Sequence, residues 1–197
     1  MEQIDFEKIA ESLVQIGAMP SLPKDSLVYT GINDARNVLL RGLMWATKGN
    51  SKWLPEYDHV ADWMNMNEGR GLLMFGDCGR GKSLIGKYIM PVIFSHYMKK
   101  IMNVYSAQYF NQNIDEVLQN KIVYIDDIGT EEISNQYGNK RVAFSELVDV
   151  AEANGNLIVV STNLSLDSLT TKYGLRTTDR LKAITKQVLF KGESLRK

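Results

Sequence analysis

The stretch GLLMFGDCGRGKS (71–83) decides the fold, because it joins a short apolar run to a glycine-rich loop. The apolar residues 71–75 are followed by loop residues, which predicts a buried strand. The eight residues from Gly76 to Ser83 match G-x-x-x-x-G-K-[ST] in full. A helical pattern follows over 83–99. A strand, a glycine loop and a helix in this order predict the first unit of a parallel α/β sheet.

The glycine loop predicts a site for nucleotide phosphates; the alternative is a glycine-rich turn with an incidental lysine. Glycines let the backbone curl so that successive N–H groups point at phosphate oxygens, and the N-terminus of the following helix favours the same anion. We expect Lys82 to bridge the β- and γ-phosphates and the Ser83 hydroxyl to ligate Mg²⁺. The expected ligand is therefore ATP with Mg²⁺. The expected nucleotide-binding residues are Gly76, Asp77, Cys78, Gly79, Arg80, Gly81, Lys82, Ser83 and Leu84.

The composition is that of a globular protein of 197 residues, 44% of them hydrophobic and 23% charged. With 23 basic and 23 acidic residues, the net charge gives no sign of nucleic-acid binding, so a DNA contact would need a local patch or several subunits. Cys78 is the only cysteine, which excludes an intramolecular disulfide and favours a reducing compartment. Residues 1–17 lack the basic start of a signal peptide, and no apolar run approaches about 20 residues. We expect a cytoplasmic protein with no membrane partner.

Short apolar runs alternate with helical patterns along the rest of the chain, which predicts a five-stranded parallel sheet covered by helices on both faces. The expected strands lie at 71–75, 101–106, 121–126, 156–162 and 186–190. The expected helices lie at 5–17, 34–48, around Tyr57 to Trp63, and at 83–99, 107–119 and 139–154.

The run IVYIDD (122–127) predicts a strand that ends in two carboxylates. In P-loop enzymes an acid at this position holds the hydration shell of Mg²⁺, so we assign that role to Asp126. Asp127 is suited to positioning or activating the attacking water, and Glu131 or Glu132 could substitute for it, although an exposed loop is expected there. The alternative is a turn that begins with the two aspartates and ends at Gly129.

The run VVSTN (159–163) predicts another strand that ends in polar residues. If this strand lies beside the one that leads into the glycine loop, Asn163 or Thr162 comes near the γ-phosphate. Asn163 could then orient the attacking water. The alternative is that Asn163 caps the next helix, although Ser165 is available for that cap.

The segment YGLRTTDRL (173–181) contains two arginines four residues apart, which share one face if the segment is helical. A guanidinium presented to the γ-phosphate of a neighbouring subunit would stabilise the transition state. The alternative for Arg176 and Arg180 is a surface ion pair near a helix end.

Together these motifs resemble the AAA+ ATPases of the DnaC/IstB type, which are replicative helicase loaders and transposition helper ATPases. The similar segments are GLLMFG (71–76) with GRGKS (79–83), YIDDIG (124–129), STNLS (161–165), YGLRTTDRL (173–181) and the Gly192, Ser194 and Arg196 pattern. The resemblance implies a three-layer P-loop fold with an AAA+ core. It also implies that Asn163 is the sensor I residue, that Arg176 or Arg180 is the arginine finger, with Arg176 preferred, and that Arg196 makes a sensor II-like contact.

The chain also departs from the pattern of this family. Many relatives have Glu where this chain has Asp127, which is one methylene shorter. The sequence ends soon after the fifth strand, so we expect no C-terminal lid domain. We place a helical extension that could contact a partner at 1–54 and the AAA+ P-loop ATPase domain at 55–197. That extension is short for the family and lacks the four Cys or His ligands of a zinc module.

The resemblance implies an ATP-hydrolysing replication factor, similar to DnaC, that loads the replicative helicase onto DNA. The expected partners are the replicative helicase, single-stranded DNA and further copies of the chain that meet at the nucleotide site, with ATPase activity weak alone and stimulated by DNA or a partner. Three alternatives remain at this point: a transposition helper ATPase similar to IstB that binds duplex DNA, a nucleotide-dependent scaffold with little turnover, and a small-molecule phosphotransferase.

Overall fold

A five-stranded parallel sheet forms the centre of the molecule. The structure, a computed structural model, describes residues 5–18, 27–131, 134–136 and 139–195. The strands of the sheet are spatially ordered β2-β3-β6-β1-β7, and every pairing between neighbours is parallel. The strands are β1 Gly71–Gly76, β2 Asn103–Ser106, β3 Ile122–Ile128, β6 Leu157–Thr162 and β7 Thr185–Phe190, with a separate antiparallel hairpin of β4 Ser134–Gln136 and β5 Asn139–Arg141. The sequence prediction of five parallel strands is confirmed.

Helices cover both faces of this sheet, which gives the three-layer arrangement that the sequence predicted. The helices that precede α4 are α1 Phe6–Gln15, α2 Ala35–Ala46 and α3 Pro55–Asn65. Helix α4 runs over 82–98. The later helices are α5 Ala107–Gln112, α6 Ile114–Leu118, α7 Ala143–Asn154, α8 Leu166–Tyr173 and α9 Leu175–Ile184.

Helix α4 contains two π-helical turns, at Ile85–Ile89 and Phe94–Met98. Pro91 lies between them and has no N–H to donate to the carbonyl four residues earlier, which disturbs the regular hydrogen-bond ladder. The prediction of a helix over 83–99 is therefore confirmed, with a local geometry that spacing alone does not indicate.

Strand residues alternate between the two layers because successive side chains of a strand point to opposite faces. Leu72 and Met74 of β1 belong to a core shared with α2, α3 and α4, whereas Leu73 belongs to a core shared with α5 to α9. The first core begins at Val28, so residues 28–54 pack on the same sheet as the residues after 55. The domain boundary at residue 55 remains a prediction. Residues on both sides of this boundary belong to the same core.

Two sequence predictions of local structure need correction. The helix expected at 139–154 begins only at Ala143, because residues 139–141 pair as a strand with β4. The helix expected at 107–119 is two helices separated at Asn113, whose side-chain amide donates to the Tyr109 carbonyl at 3.0 Å and so competes with the helical ladder.

Among the helices that the structure describes, none is both long and apolar enough to cross a membrane.

The close approach of β1 to β6 predicts that Gly71 tolerates no side chain. A methyl group at Gly71 would overlap the backbone carbonyl oxygen of Ile158, which cannot rotate away. We expect Gly71→Ala to lower the free energy of unfolding by about 1–3 kcal/mol, measured by urea denaturation. The control is Ser95→Ala at an exposed position of α4, where the substitution adds no atom and helix propensity improves. Equal losses for both variants would contradict this account.

Candidate functional site

The carboxyl ends of β1, β3 and β6 meet at one edge of the sheet and open into a cavity of about 660 Å³. Ligands of open parallel sheets bind at such an edge. The cavity is lined by the glycine loop, by polar residues after β3 and β6, and by residues of the N-terminal part of the chain. These lining residues include Leu43, Thr47, Asn50, Ser51, Lys52, Tyr57, residues 78–84, Lys87, Tyr88, Asp126, Asp127, Ser161, Asn163 and Leu195.

The glycine loop has the curled backbone that the sequence predicted. Gly76 has φ of 111° and Gly81 has φ of 91°, values in the left-handed region that favours glycine. A methyl group at Gly76 would overlap the Phe190 carbonyl oxygen, and one at Gly81 would lie 2.5 Å from the Tyr57 hydroxyl. Both positions therefore require glycine for backbone conformation and for space.

Lys82 lies inside this loop, with only 6% of its surface exposed. Its ammonium donates to the carbonyl oxygens of Gly76 at 2.8 Å and Asp77 at 2.7 Å, and to Oδ1 of Asn163 at 3.0 Å. A buried positive charge at the start of α4 is therefore held in place on the floor of the cavity. The positive charge of Lys82 and the N-terminus of α4 together favour the binding of an anion at this point.

The Arg80 side chain has a different role from the one its motif position suggested. Its guanidinium is 7% exposed and forms a two-pronged ion pair with Glu56 of α3, with 3.0 Å between Nη2 and Oε2. Nη1 also donates to the Glu193 carbonyl at 3.1 Å. The hydrogen bond to Glu56 raises the pKa of Arg80 above its usual value. The guanidinium is thus engaged by protein groups, so the part of Arg80 that remains for a phosphate is its backbone N–H.

Two further contacts hold the loop from outside. The Tyr57 hydroxyl donates to the Arg80 carbonyl at 2.9 Å, and burial raises the pKa of Tyr57 to about 12, so it remains a donor. Residues after β7 supply the second contact: Gly192 N–H donates to the Asp77 carboxylate at 2.7 Å, and Leu195 N–H donates to the Gly79 carbonyl at 2.9 Å. Sequence reasoning missed Glu56 and Tyr57 because no motif marks a loop-supporting residue.

The Asp126 carboxylate lies in a buried network of hydroxyl groups. Tyr124 and Ser161 donate to its Oδ1 at 2.5 and 2.8 Å, and the nearby Ser83 hydroxyl also lowers the pKa of this carboxyl. Burial alone would raise the pKa of Asp126, but these hydrogen bonds outweigh it and the pKa lies below its usual value. The carboxylate is therefore charged at neutral pH. Burial, followed by the nearby charge of Asp126, raises the pKa of Tyr124, so this hydroxyl keeps its proton.

Tyr124 fits beside α4 only because residue 86 is glycine. A methyl group at Gly86 would overlap the Tyr124 ring. Neither Tyr124 nor Ser161 stood out in the sequence as a site residue. The signal that could have found Tyr124 is its position two residues before Asp126, which puts both side chains on one face of β3.

Asp127 has an unusual backbone conformation, with φ of 62° in the left-handed region. A shift in the β3–β6 register between Ile125 and Ile128 accompanies it. The Asp127 N–H donates to Ser161 Oγ at 3.0 Å, and its Oδ1 accepts from Asn163 Nδ2 at 2.8 Å. Strained residues of this kind concentrate at functional sites, where surrounding contacts hold them.

Asn163 connects two of the predicted site residues, because it accepts from Lys82 and donates to Asp127. The alternative candidate Thr162 is fully buried and donates to the Ile128 carbonyl at 2.5 Å, so it faces away from the cavity. Ser165, not Asn163, caps α8 by accepting from Ser168 N–H at 3.1 Å.

Glu131 does not lie on an exposed loop, which corrects the sequence expectation. It is 8% exposed, its carboxylate accepts from the Tyr173 hydroxyl, and Gly129 N–H donates to it at 2.7 Å. Burial and the Glu131 carboxylate raise the pKa of Tyr173, so that hydroxyl stays protonated. This engaged carboxylate leaves Asp127 as the acid beside Asn163. Glu132 and Arg196, the other two candidates, lie outside the described residues.

The two arginines of α9 differ in their surroundings. Arg180 binds Asp149 and also lies 3.1 Å from Glu152, both on α7, and its side chain is 31% exposed. The Arg176 side chain is 76% exposed, and its Nη2 is 4.0 Å from Asp149. Of the two, Arg176 presents the more accessible guanidinium, while Arg180 attaches α9 to α7.

The residues near Ser83 fit a magnesium ion in their chemistry. Mg²⁺ prefers oxygen ligands and is usually held by one or two carboxylates together with substrate phosphates and water. Ser83 and Asp126 supply a hydroxyl and an ionised carboxylate that line the same cavity and lie near each other. They are the residues of this chain that could hold the ion.

Comparisons with known proteins agree with this geometry. The family model described as RNA helicase matches residues 72–164, from β1 to just past Asn163. The structure of a candidate primosome component from Streptococcus pyogenes serotype M3 is similar at 17% identity and a TM-score of 0.53, over 83% of this chain and 84% of that one. A DnaC helicase loader structure is similar at 20% identity and a TM-score of 0.49, over 83% of this chain and 94% of that one. A comparison with curated proteins gave no match.

The strand order, the glycine loop and the acids after β3 place this chain in the class of proteins that have the P-loop nucleoside-triphosphatase fold. Within that class, the chain resembles the DnaC/IstB type, as its motifs indicated.

The buried ion pair between Arg80 and Glu56 predicts a large stability effect. Glu56→Gln would leave the Arg80 charge buried without a counter-charge, so we expect a loss of at least about 2 kcal/mol in the free energy of unfolding. Asp58→Asn is the matched control, because it removes the partner of Arg36 in an ion pair whose side chains are 64% and 42% exposed. Urea denaturation of both variants gives the comparison. A loss for Glu56→Gln no larger than that of the control would refute this role.

Proposed function

We propose that this protein binds ATP with Mg²⁺ and hydrolyses it, as a helicase-loading factor of DNA replication. The observation that carries the catalytic part is the continuous hydrogen-bonded chain Lys82–Asn163–Asp127, which lies beside the Ser83–Asp126 pair. A phosphate ligand, a polar amide and a carboxylate in line are the components that water-driven phosphoryl transfer needs.

In this proposal the triphosphate occupies the glycine loop. Backbone N–H groups of 79–83 and the Lys82 ammonium bind its β- and γ-phosphates. Lys82 exchanges its present carbonyl partners for phosphate oxygens, which carry more negative charge. Ser83 and Asp126 hold Mg²⁺, which when bound neutralises charge that develops on the phosphate oxygens.

The attacking water is positioned by Asn163 and Asp127. The Asn163 amide is fixed at both ends, by Lys82 and by Asp127, so it can hold a water molecule in line with the γ-phosphate. The Asp127 carboxylate accepts the water proton as the water oxygen bonds to the γ-phosphorus and the bond from that phosphorus to the bridging oxygen breaks, so that ADP leaves. Arg176 of a neighbouring copy supplies the remaining positive charge, for which its exposure at the surface is suited.

The base and ribose occupy the part of the cavity formed by the N-terminal residues. Leu43, Thr47, Asn50, Ser51 and Lys52 line that part, so they are the residues that distinguish adenine from other bases. The 1–54 segment therefore contributes to nucleotide binding in addition to any contact with a partner.

The helicase-loading role is supported by the similarity in fold and motifs described above. We propose that several copies assemble through the nucleotide site in the cytoplasm, with the replicative helicase and single-stranded DNA as partners. Asp127 in place of the more usual Glu favours slow turnover by the isolated protein, with stimulation by DNA or the helicase.

The catalytic proposal predicts different effects for substitutions of Lys82 and Asp127, which lie at the two ends of the hydrogen-bonded series Lys82–Asn163–Asp127. Asp127→Asn should lower the ATPase rate at least about tenfold while ATP still binds, because the water loses its base. Lys82→Ala should abolish ATP binding itself. ATPase rates and fluorescent-nucleotide binding, each with and without DNA, separate the two effects, and Lys182→Ala on the exposed side of α9 is the control. A rate that Asp127→Asn leaves unchanged would remove Asp127 from catalysis.

The loading proposal predicts ATP-dependent association with a hexameric replicative helicase. Size-exclusion chromatography of the purified pair should give a complex with ATP, and Arg176→Ala should weaken self-association in ATP without reducing nucleotide binding by the monomer. If the protein neither hydrolyses ATP with single-stranded DNA nor binds the helicase, the loading function is wrong. ATP-dependent assembly on duplex DNA without the helicase would favour the transposition helper role.

A further inference from the structure

Acidic residues are distributed unevenly along this chain. Residues 35–55 and 78–114 contain no Asp or Glu, although an even spread of the 23 acids would put about seven there. The same two stretches contain nine of the 23 basic residues. A net charge of zero therefore hides a local excess of positive charge. The nine basic residues are Arg36, Arg41, Lys48, Lys52, Arg80, Lys82, Lys87, Lys99 and Lys100.

The two acid-free stretches come together in the fold, because they contain α2 and α4. Gly42 of α2 lies against Ile89 of α4, with no space for a methyl group between them. Leu43 of α2 lines the same cavity as Leu84 and Tyr88 of α4. The two helices therefore lie side by side, and we call the exposed residues of 35–52 and 82–100, which are these helices and the residues directly after them, the α2–α4 surface.

The cations of these two stretches include some that lie near an acidic residue and others that form no ion pair with the described residues. Arg36 binds Asp58, Arg80 binds Glu56 and Lys87 lies 3.8 Å from Asp126. By contrast, five exposed cations form no ion pair with any residue in the described part of the chain. These five are Arg41, Lys48, Lys52, Lys99 and Lys100.

The same surface exposes aromatic rings. Trp45 of α2 is 63% exposed, and Tyr88 and Tyr97 of α4 are 53% and 45% exposed. Large exposed aromatic groups next to unpaired cations are typical of surfaces that bind single-stranded nucleic acid, where rings stack on bases and cations contact phosphates. A duplex keeps its bases stacked and would leave these rings without partners.

The α2–α4 surface extends well beyond the nucleotide cavity. Tyr97 and Lys99 lie about four helical turns beyond Ser83, roughly 20 Å along α4. One bound nucleotide cannot reach from the glycine loop to these residues. Attraction of ATP therefore does not explain their charge and exposure, whereas a strand of several nucleotides would.

We propose that the α2–α4 surface binds single-stranded nucleic acid, with Arg41, Lys48 and Lys99 at its phosphates and Trp45, Tyr88 and Tyr97 stacked on its bases. This inference rests on the proposed function, because it identifies the surface with which a helicase loader would bind the DNA strand. Because α2 and α4 also line the nucleotide cavity, strand and ATP would meet the same two helices.

The test is binding of fluorescein-labelled oligothymidylate to the full chain, followed by fluorescence anisotropy over a range of salt concentrations. Trp45→Ala and Tyr97→Ala should each weaken binding by about tenfold, the loss expected for one stacked base. The double variant Lys48→Ala with Lys99→Ala should weaken binding and reduce the slope of log affinity against log salt by about 1.4, since each phosphate contact contributes about 0.7.

Two control variants remove an exposed aromatic ring and an exposed cation outside the α2–α4 surface. Tyr109 is an exposed aromatic residue on α5, in the other helix layer, and Lys182 is an exposed cation on α9. Tyr109→Ala and Lys182→Ala should leave oligothymidylate binding unchanged. Urea denaturation of every variant checks that these surface substitutions leave the fold intact.

Three outcomes would overturn the proposal: no binding of oligothymidylate by the wild type, tighter binding of a duplex of equal length, or equal losses in the surface and control variants. Losses that affect association with a helicase but not with oligothymidylate would also overturn it, because they indicate an acidic protein as the partner. Nucleotide binding is measured separately. Failure of ATP binding with oligothymidylate binding intact would reject the proposed function and leave this surface in place.

Discussion

The parallel pairing of β1 with both β6 and β7 is the constraint on which the site depends. Because neighbouring strands run the same way, their carboxyl ends open on one edge, and the residues that follow β1, β3 and β6 must meet there. Lys82, Asp127 and Asn163 are 36 to 81 residues apart in sequence, yet Asn163 hydrogen-bonds both of the others. Side chains from separate loops therefore form one site without a dedicated binding domain.

Much of this arrangement could be predicted from the sequence, because apolar runs and a complete glycine-loop motif are local signals. The five strands, the order of the motifs and the position of Asn163 followed from them. What could not be predicted depends on contacts between distant segments. No sequence pattern indicates the ion pair of Glu56 with Arg80. The loop prediction for Glu131 did not include its burial against Tyr173, and the strand at 139–141 depends on pairing with β4.

The glycine loop is held by contacts from two separate segments, and this explains why a flexible sequence keeps one shape. Glu56 fixes the Arg80 side chain, Tyr57 binds the Arg80 carbonyl, and Gly192 and Leu195 bind the loop from the segment after β7. Glycines gain the left-handed backbone at an entropic cost, which such contacts offset. Support of the loop therefore comes from α3 and from the last described residues, which precede and follow the strands of the sheet in sequence.

The left-handed backbone at Asp127 has a consequence for which residues can occupy that position. Asp and Asn enter this region several times more readily than other residues with a side chain, whereas β-branched residues are strongly disfavoured. The shorter acid at this point is thus matched to its own main chain. Replacement by the longer Glu would have to reshape the end of β3, so residue identity and backbone geometry at position 127 depend on each other.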